Sequence, residues 1–327
     1  MADEERGQAG VPDLTAIVVN WNTCAELRSC LRSVMESDSV SAETMVVDNA
    51  SSDGSAEMVR EEFPSVRLLV NAENLGFAKG CNQGIAISRG RYVLLLNSDS
   101  DVQSDALSAL VRFGDENPDV GIFGPRILNS DGSLQYSCRR FPTLLAGIFR
   151  NSFLGRLFPK NPYIKDYLLA EWDHSETRDV DWVSGAAMVI RREVLEEVGA
   201  LDERFFMYCE DVDLAYRAKQ HGWRVAYFPA AVVVHALGRS SDKDPNGMIA
   251  EFHKSMYRFF RKHYARKSSV LVRLLVPVGL AARAAFLIGR NHFNRARSVL
   301  RRRTRASTAE RQPACTRSRG KGRSGES

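Results

Sequence analysis

The sequence predicts an α/β fold with a mostly parallel sheet flanked by helices. Two observations predict it. Short, almost wholly apolar segments alternate with segments whose apolar residues recur at helical spacing, the pattern of a sheet covered on both faces. One of those segments, Leu94-Leu95-Leu96, runs directly into Asn97-Ser98-Asp99-Ser100-Asp101. That places carboxylates at the carboxyl edge of the sheet, where open α/β sheets bind ligands and where hard oxygen donors suit Mg²⁺ or Mn²⁺ together with a phosphate.

The elements follow in order. Leu14–Val19 reads as a buried strand, and Leu27, Leu31, Val34 and Met35 fall at the spacing of a helix face. Thr44–Val47 is a second strand, Ser55–Phe63 a short helix with Ala56, Val59 and Phe63 on one side, and Val66–Val70 a third strand. Phe77–Ser88 is helical, Tyr92–Leu96 is a fourth strand, and Asp105–Phe113 is again helical. Asn129-Ser130-Asp131-Gly132 is a turn. Pro142–Asp173, rich in aromatics and proline, reads as a substrate-facing loop with short helices. Trp182–Ile190 is one strand, Glu193–Val198 and Asp211–Gln220 are helices, and Arg224–Phe228 and Ala231–Val234 are short strands.

Charge divides the chain. From His253 onward 20 lysines and arginines face two acids, Glu310 and Glu326, so this end carries +18 and residues 1–252 carry −13. An acidic body with a basic end points to an anionic neighbour. Val270–Ile288 is nearly apolar, but Arg273 and Arg283 interrupt it, each costing about 2.5–3.5 kcal/mol near a bilayer centre. Arg283 and Arg290 share a helix face, with Arg273 about 80° away, which suits a helix lying in the membrane interface. The expected organisation is a disordered leader (1–12), a catalytic domain (13–250), amphipathic interfacial helices (251–290) and a basic disordered tail (291–327). The six cysteines form no CxxC pair, which favours a reducing cytosol, and the acidic start predicts no signal peptide.

Six motifs could carry chemistry, and each has a plainer reading. Asp48 in VVDNASSDGS leaves a strand and could meet a base or ribose; Asp53 or Ser55 could equally cap the next helix. The glycines of Asn74-Leu75-Gly76-Phe77-Ala78-Lys79-Gly80-Cys81-Asn82 could admit a phosphate, with Lys79 pairing to it, or could simply start a helix. Asp99 and Asp101 could bind metal or cap a turn. Glu210, Asp211 and Asp213 follow an aromatic run that would raise a carboxylate's pKa and make a base, yet acids are also favoured at any helix entry. His235 ends a strand and is a metal ligand only if it faces the acids. Trp182-Val183-Ser184-Gly185-Ala186 could seat a sugar on an aromatic face or could be core.

The order of these motifs is more specific than any one of them. VVDNASSDGS, NLGFAKGCN, LLLNSDSD, DWVSGAAMVIRR, FFMYCEDVDLAYR and VVVHALGRS, spread over residues 13 to 245, resemble family 2 of the inverting glycosyltransferases, and most closely its rhamnosyltransferase-like branch. The resemblance implies a GT-A fold, a nucleotide-diphospho-sugar donor and a Mg²⁺ or Mn²⁺ cofactor. It implies Asp211 as general base supported by Glu210 and Asp213. The implied donor site is Asn20, Asp48, Asn74, Gly76, Phe77, Asn82, Asn97, Trp182 and Gly185, and the implied metal ligands are Asp99, Asp101 and His235. Asn97 stands where relatives often carry the first Asp of an Asp-x-Asp pair.

The first expectation for the donor is dTDP-rhamnose, with UDP-hexoses and GDP-mannose open. The expected acceptor is a lipid-linked, polyprenyl-borne or cell-surface glycan. The expected location is cytoplasmic, peripheral on an anionic inner membrane face, with no nucleic acid as partner. Two alternatives are a sugar-nucleotide pyrophosphorylase and a non-catalytic membrane-bound partner subunit. The first would normally carry a glycine-rich phosphate loop where this chain has Asn20-Trp21-Asn22-Thr23, and the complete acid set argues against the second.

Overall fold

The computed structural model describes residues 10–37, 40–143, 161–236 and 243–309. Most of the expected leader and the tail beyond Ala309 lie outside the described residues, as does much of the loop expected over 142–173.

The amino-terminal half alternates strand and helix: β1 (Leu14–Asn20), α1 (Cys24–Glu36), β2 (Ala42–Asp48), α2 (Ser55–Glu62), β3 (Arg67–Val70), α3 (Phe77–Ile87), β4 (Tyr92–Asn97), β5 (Ser100–Val102), α4 (Ala106–Glu116) and β6 (Val120–Leu128). Then come β7 (Cys138–Arg139), α5 (Pro162–Leu168), β8 (Arg178–Asp179), β9 (Trp182–Val183), β10 (Ala187–Arg191), α6 (Arg192–Val198), α7 (Glu210–Gln220) and β11 (Arg224–His235). The chain ends in α8 (Pro245–Phe259), a π-turn and a 3₁₀-turn over Phe260–Lys267, and α9 (Val270–Ala309).

The main sheet runs β3-β2-β1-β4-β10-β6-β11-β5, with β8 added to β11. β3, β2, β1 and β4 are mutually parallel, as are β6 and β11, whereas β10 runs antiparallel between β4 and β6. The order reverses at β1, so the carboxyl ends of β1 and β4 open a crevice there. Strand pleating sends alternate residues to opposite cores. Leu94 and Leu96 pack with Leu27, Leu31 and Val59 of α1 and α2, while Val93 and Leu95 pack with Ala78, Cys81 and Leu214 of α3 and α7. Met35, expected on the buried side of α1, is 51% exposed because it falls just off that stripe.

Three further expectations change. The segment read as one strand over Trp182–Ile190 breaks at Ser184–Ala186, and β9 leaves the main sheet to pair with β7. The two short strands read after Arg224 are one strand, β11, with a register irregularity between Phe228 and Val232. α9 also continues past residue 290 to Ala309, beyond the expected start of the tail. Its stretch Val270–Asn294 is long and apolar enough to cross a membrane by length and composition.

Candidate active site

At the crevice, a cavity of about 1780 Å³ collects residues from across the chain: Asn20 from β1, Asn97 and Asp99 after β4, Gly185, Glu210 and Asp211, and His235 at the end of β11. β4 reaches this edge because its apolar run is clamped between β1 and β10. β11 pairs antiparallel with β5, placing His235 opposite Ser100 and next to Asp99.

Asp99 and His235 are both almost fully buried, with His235 Nε2 3.1 Å from Asp99 Oδ1. Gln135 Oε1 accepts from His235 Nδ1 at 2.8 Å, which puts the ring proton on Nδ1 and leaves Nε2 as the nitrogen toward Asp99. Asn97 Nδ2 donates to the same Nε2 at 3.1 Å. The Nε2 lone pair, which accepts from Asn97, and the carboxylate oxygen facing it form a donor pair that fits a divalent cation, and the nitrogen favours Mn²⁺ over Mg²⁺. Two protein ligands are few, and among the described residues no group of three or more His, Cys, Asp or Glu comes together. Such a site suits an ion shared with substrate phosphates. Asp101, expected as a third ligand, lies within β5 opposite Val234, and pairing with β11 carries it out of the cavity wall.

Glu210 and Asp211 open α7. The two residues before the helix are strained: Tyr208 and Cys209 both hold left-handed backbone, at φ 69° and 67°. The loop leading to them is tied at both ends. Phe206 O accepts from Phe77 N at 2.7 Å, and Met207 O accepts from Ser255 Oγ of α8 at 2.8 Å. Asp211 accepts from the backbone N–H groups of Gly185 (3.1 Å) and Val212 (2.8 Å). Glu210 Oε2 is buried and has no hydrogen-bond partner. Burial raises both carboxyls, and Glu210, also facing the Asp211 charge, rises well above its ordinary range. The two backbone bonds favour the ionised form of Asp211. Within the pair these environments favour the proton on Glu210 and the charge on Asp211, the arrangement a base requires.

Asp213, expected beside them, faces elsewhere. It is fully buried, ion-paired to Arg217 (2.9 Å) and Lys262 (2.7 Å), and hydrogen-bonded to His263 Nε2 (2.7 Å). Hydrogen bonds from His263 and Lys262 overcome its burial and hold its pKa below the ordinary carboxylate range. Two residues along a helix are about 200° apart, so Asp211 and Asp213 serve opposite sides of α7.

Among the residues expected at the donor, Asn20, Asn74, Gly76, Phe77, Asn97, Trp182 and Gly185 line the cavity. Gly76 has φ +86°, and a Cβ there would collide with Phe206 O and its ring, so this approach requires glycine. Asp48 sits behind the wall: its carboxylate accepts from Asn20 Nδ2 (2.8 Å) and Ser51 N (2.9 Å). Asn82 faces away, exchanging hydrogen bonds with Leu201 at 2.8 and 3.0 Å. Lys79 is exposed and outside the wall, so the phosphate role considered for it finds no geometry. Trp182 has its indole N–H on Arg140 O at 2.9 Å and Arg139 5.1 Å from its ring, so that ring is already partnered.

Sequence reasoning missed three contributions. Gln135, which fixes His235, lies in no motif. Arg139, a basic residue in the wall, comes from the two-residue strand β7. The apolar wall from α8 and α9, including Phe252, Met256 and Leu280, was read as membrane surface alone.

Comparison with known proteins matches these features. A family described as Glycosyltransferase like family 2 matches residues 12–265. The chain is 31% identical to an N-acetylglucosaminyl-diphospho-decaprenol L-rhamnosyltransferase of Mycobacterium tuberculosis, covering 87% of this chain and 95% of that one. It is 28% identical to a low-salt glycan biosynthesis hexosyltransferase of Haloferax volcanii, over 70% and 68% of the two chains. In structure it is similar to a mannosyltransferase of Pyrobaculum calidifontis solved with GDP-Man and Mn²⁺, with a TM-score of 0.53 at 19% identity over 87% and 80% of the chains.

Proposed function

Because the chain belongs to glycosyltransferase family 2 and is a glycosyltransferase with a GT-A-like sheet, we propose that it transfers L-rhamnose from dTDP-rhamnose, with inversion, to a hydroxyl of a prenyl-diphosphate-linked saccharide. The observation that carries this reading is the convergence of Asp99, His235, Glu210 and Asp211 on one cavity from positions up to 136 residues apart. The relative that shares 31% identity over nearly its whole length supports the donor and acceptor classes.

In this reading the acceptor hydroxyl loses its proton to Asp211 as its oxygen bonds to the anomeric carbon, and the bond from that carbon to the donor diphosphate breaks with its electron pair leaving on the nucleotide. A single displacement of this kind inverts the configuration. Glu210, held neutral, limits the negative charge beside the base, while Gly185 and Val212 fix the orientation of Asp211. Much of the rate comes from holding the hydroxyl and the donor in line within the cavity. A Mg²⁺ or Mn²⁺ ion between Asp99 and His235 would supply charge stabilisation for the leaving diphosphate. The apolar outer face of α9 would rest on the cytoplasmic leaflet, where the basic end adds attraction to anionic lipid of about 1 kcal/mol per nearby cation.

The test is transfer to N-acetylglucosaminyl-diphospho-prenol with Mn²⁺, offering dTDP-rhamnose, UDP-glucose or GDP-mannose. The expected result is product from dTDP-rhamnose with inverted anomeric configuration. Retention would overturn the Asp211 mechanism, and turnover only with another donor would overturn the sugar.

A further inference from the structure

The cavity does not end at the chemistry. Beyond Asp211 its wall passes to the helix pair, where Met248, Phe252 and Met256 of α8 face Val276, Leu280 and Leu287 of α9. This end is apolar, yet it contains two cations, Arg283 and Arg290. They lie seven residues apart on α9, two turns or about 10 Å along one face. The acids in the wall are Asp99, Glu210 and Asp211, and α8 and α9 contribute none.

Arg283 is set in place. Its Nη1 donates to His253 Nε2 at 2.6 Å, and His253 Nδ1 donates to Ile249 O at 2.6 Å. A carbonyl can only accept, so the proton is on Nδ1 and Nε2 offers its lone pair to the guanidinium. His253 is 5% exposed; burial, and then the Arg283 charge, lowers its pKa and keeps the ring neutral. A leucine at position 283 would pack this apolar wall without desolvating a charge. A guanidinium oriented by a buried neutral imidazole is instead an anion receptor, with the planar fork that matches phosphate oxygens.

We propose that Arg283, positioned by His253, receives the diphosphate of the acceptor, with the prenyl chain lying in the apolar groove between α8 and α9. The inference rests on reading the acceptor as a prenyl-diphosphate saccharide and adds where that acceptor is held. The two anionic groups of the reaction then have separate receptors: the donor diphosphate near Asp99 and His235, the acceptor diphosphate at Arg283. Arg290 adds attraction farther along the groove. His253 touches no substrate; it acts through Arg283.

The experiment measures binding of geranylgeranyl diphosphate to the full chain in detergent micelles, with geranylgeraniol as the neutral control. Arg283→Gln is expected to weaken the diphosphate at least tenfold and to leave the alcohol within about twofold. His253→Ala should weaken the diphosphate severalfold. His253→Gln, whose amide oxygen can accept in place of Nε2, should recover most of that loss, which a purely packing role would not predict. Unchanged diphosphate affinity in Arg283→Gln overturns the proposal. So does an equal loss of both ligands, which would make Arg283 a packing residue, or an equal loss of binding to phosphatidylglycerol vesicles, which would make it a general headgroup contact. If the wild type binds the diphosphate through Arg283 but never transfers rhamnose, the proposed function fails while the receptor stands.

Discussion

The sheet and the C-terminal helix pair treat polarity in opposite ways. In the sheet, apolar side chains are hidden between strands and helices, and the polar groups gather at one edge around the cavity. In α9 many apolar side chains face outward: Val270, Leu271, Leu274, Val278 and Phe293 are each more than half exposed, while Arg283 turns inward onto His253. The first arrangement is what water selects and the second is what a hydrocarbon surface selects. The cavity is walled by both regions, so one substrate can meet a polar catalytic edge at one end and an apolar groove at the other. A helix lying in the membrane interface would turn its arginines toward headgroups. Arg283 instead faces the protein because a buried partner, 30 residues earlier, accepts its hydrogen bond.

The sharpest way to break the comparison is at the polar edge. Asp211→Asn removes the proposed base and keeps the shape, because an amide oxygen can still accept from Gly185 and Val212. Transfer should fall by about 10³-fold, within the usual range for loss of a general base, while a thermal-shift titration with dTDP still reports binding. Retained turnover would mean that another group takes the proton. Glu210→Gln should be far milder, since burial and the neighbouring Asp211 charge already favour the protonated side chain. Burial raises the Asp211 pKa, and the base works only when ionised, so the rate should fall on the acid side at a pH above the ordinary carboxylate midpoint of about 4. A pH–rate profile whose acid limb sits at or below that midpoint would contradict the environment assigned to Asp211.

The joint between the two regions gives the next largest effect. Lys262 and His263, from the turn after α8, meet Asp213 of α7, so this cluster fastens the helix pair to the sheet. Asp213→Asn leaves Lys262 and Arg217 facing an uncharged, buried partner and should destabilise the fold by about 3–5 kcal/mol, read by chemical denaturation. The folded-state pKa of Asp213 is depressed, so its contribution is full above the unfolded value of about 3.9 and is lost as pH falls through the folded value. The variant and wild type should therefore converge in stability in strong acid and diverge above about pH 4. A constant difference across that range would remove Asp213 from the linkage.

This cluster also marks where sequence reading reached and where it stopped. The strands of the amino-terminal half were legible because buried parallel strands leave continuous apolar runs, and Asp99 and His235 because each ends such a run. Asp213 was grouped with Glu210 and Asp211 by proximity along the chain, although helical geometry alone separates it from Asp211. Gln135, Lys262 and the pairing of His253 with Arg283 depend on contacts 30 to 100 residues apart, and no local pattern encodes them. The break between β9 and β10 was hidden because Ser184-Gly185-Ala186 is compatible with a strand, and its turn is fixed by long-range partners: Ser184 N donates to Ser137 O, and Ala186 O accepts from Asn97 N.

The smallest expected effect tests the apolar side of the contrast. Leu274 and Leu271 are 63% and 65% exposed on α9, and neither lines the cavity. Complete burial of such side chains is worth about 1.5–3 kcal/mol each, and insertion at a membrane surface buries them only in part. The double substitution Leu271→Glu, Leu274→Glu should then weaken binding to vesicles containing phosphatidylglycerol by about tenfold in a flotation assay and leave the melting temperature within a few degrees. Raising the salt should weaken wild-type binding further, because the basic end acts through screened charge. If the variant floats as the wild type does, the outward face of α9 has no part in membrane contact, and the opposite polarity of the two regions would need another explanation, such as burial of that face against a second protein chain.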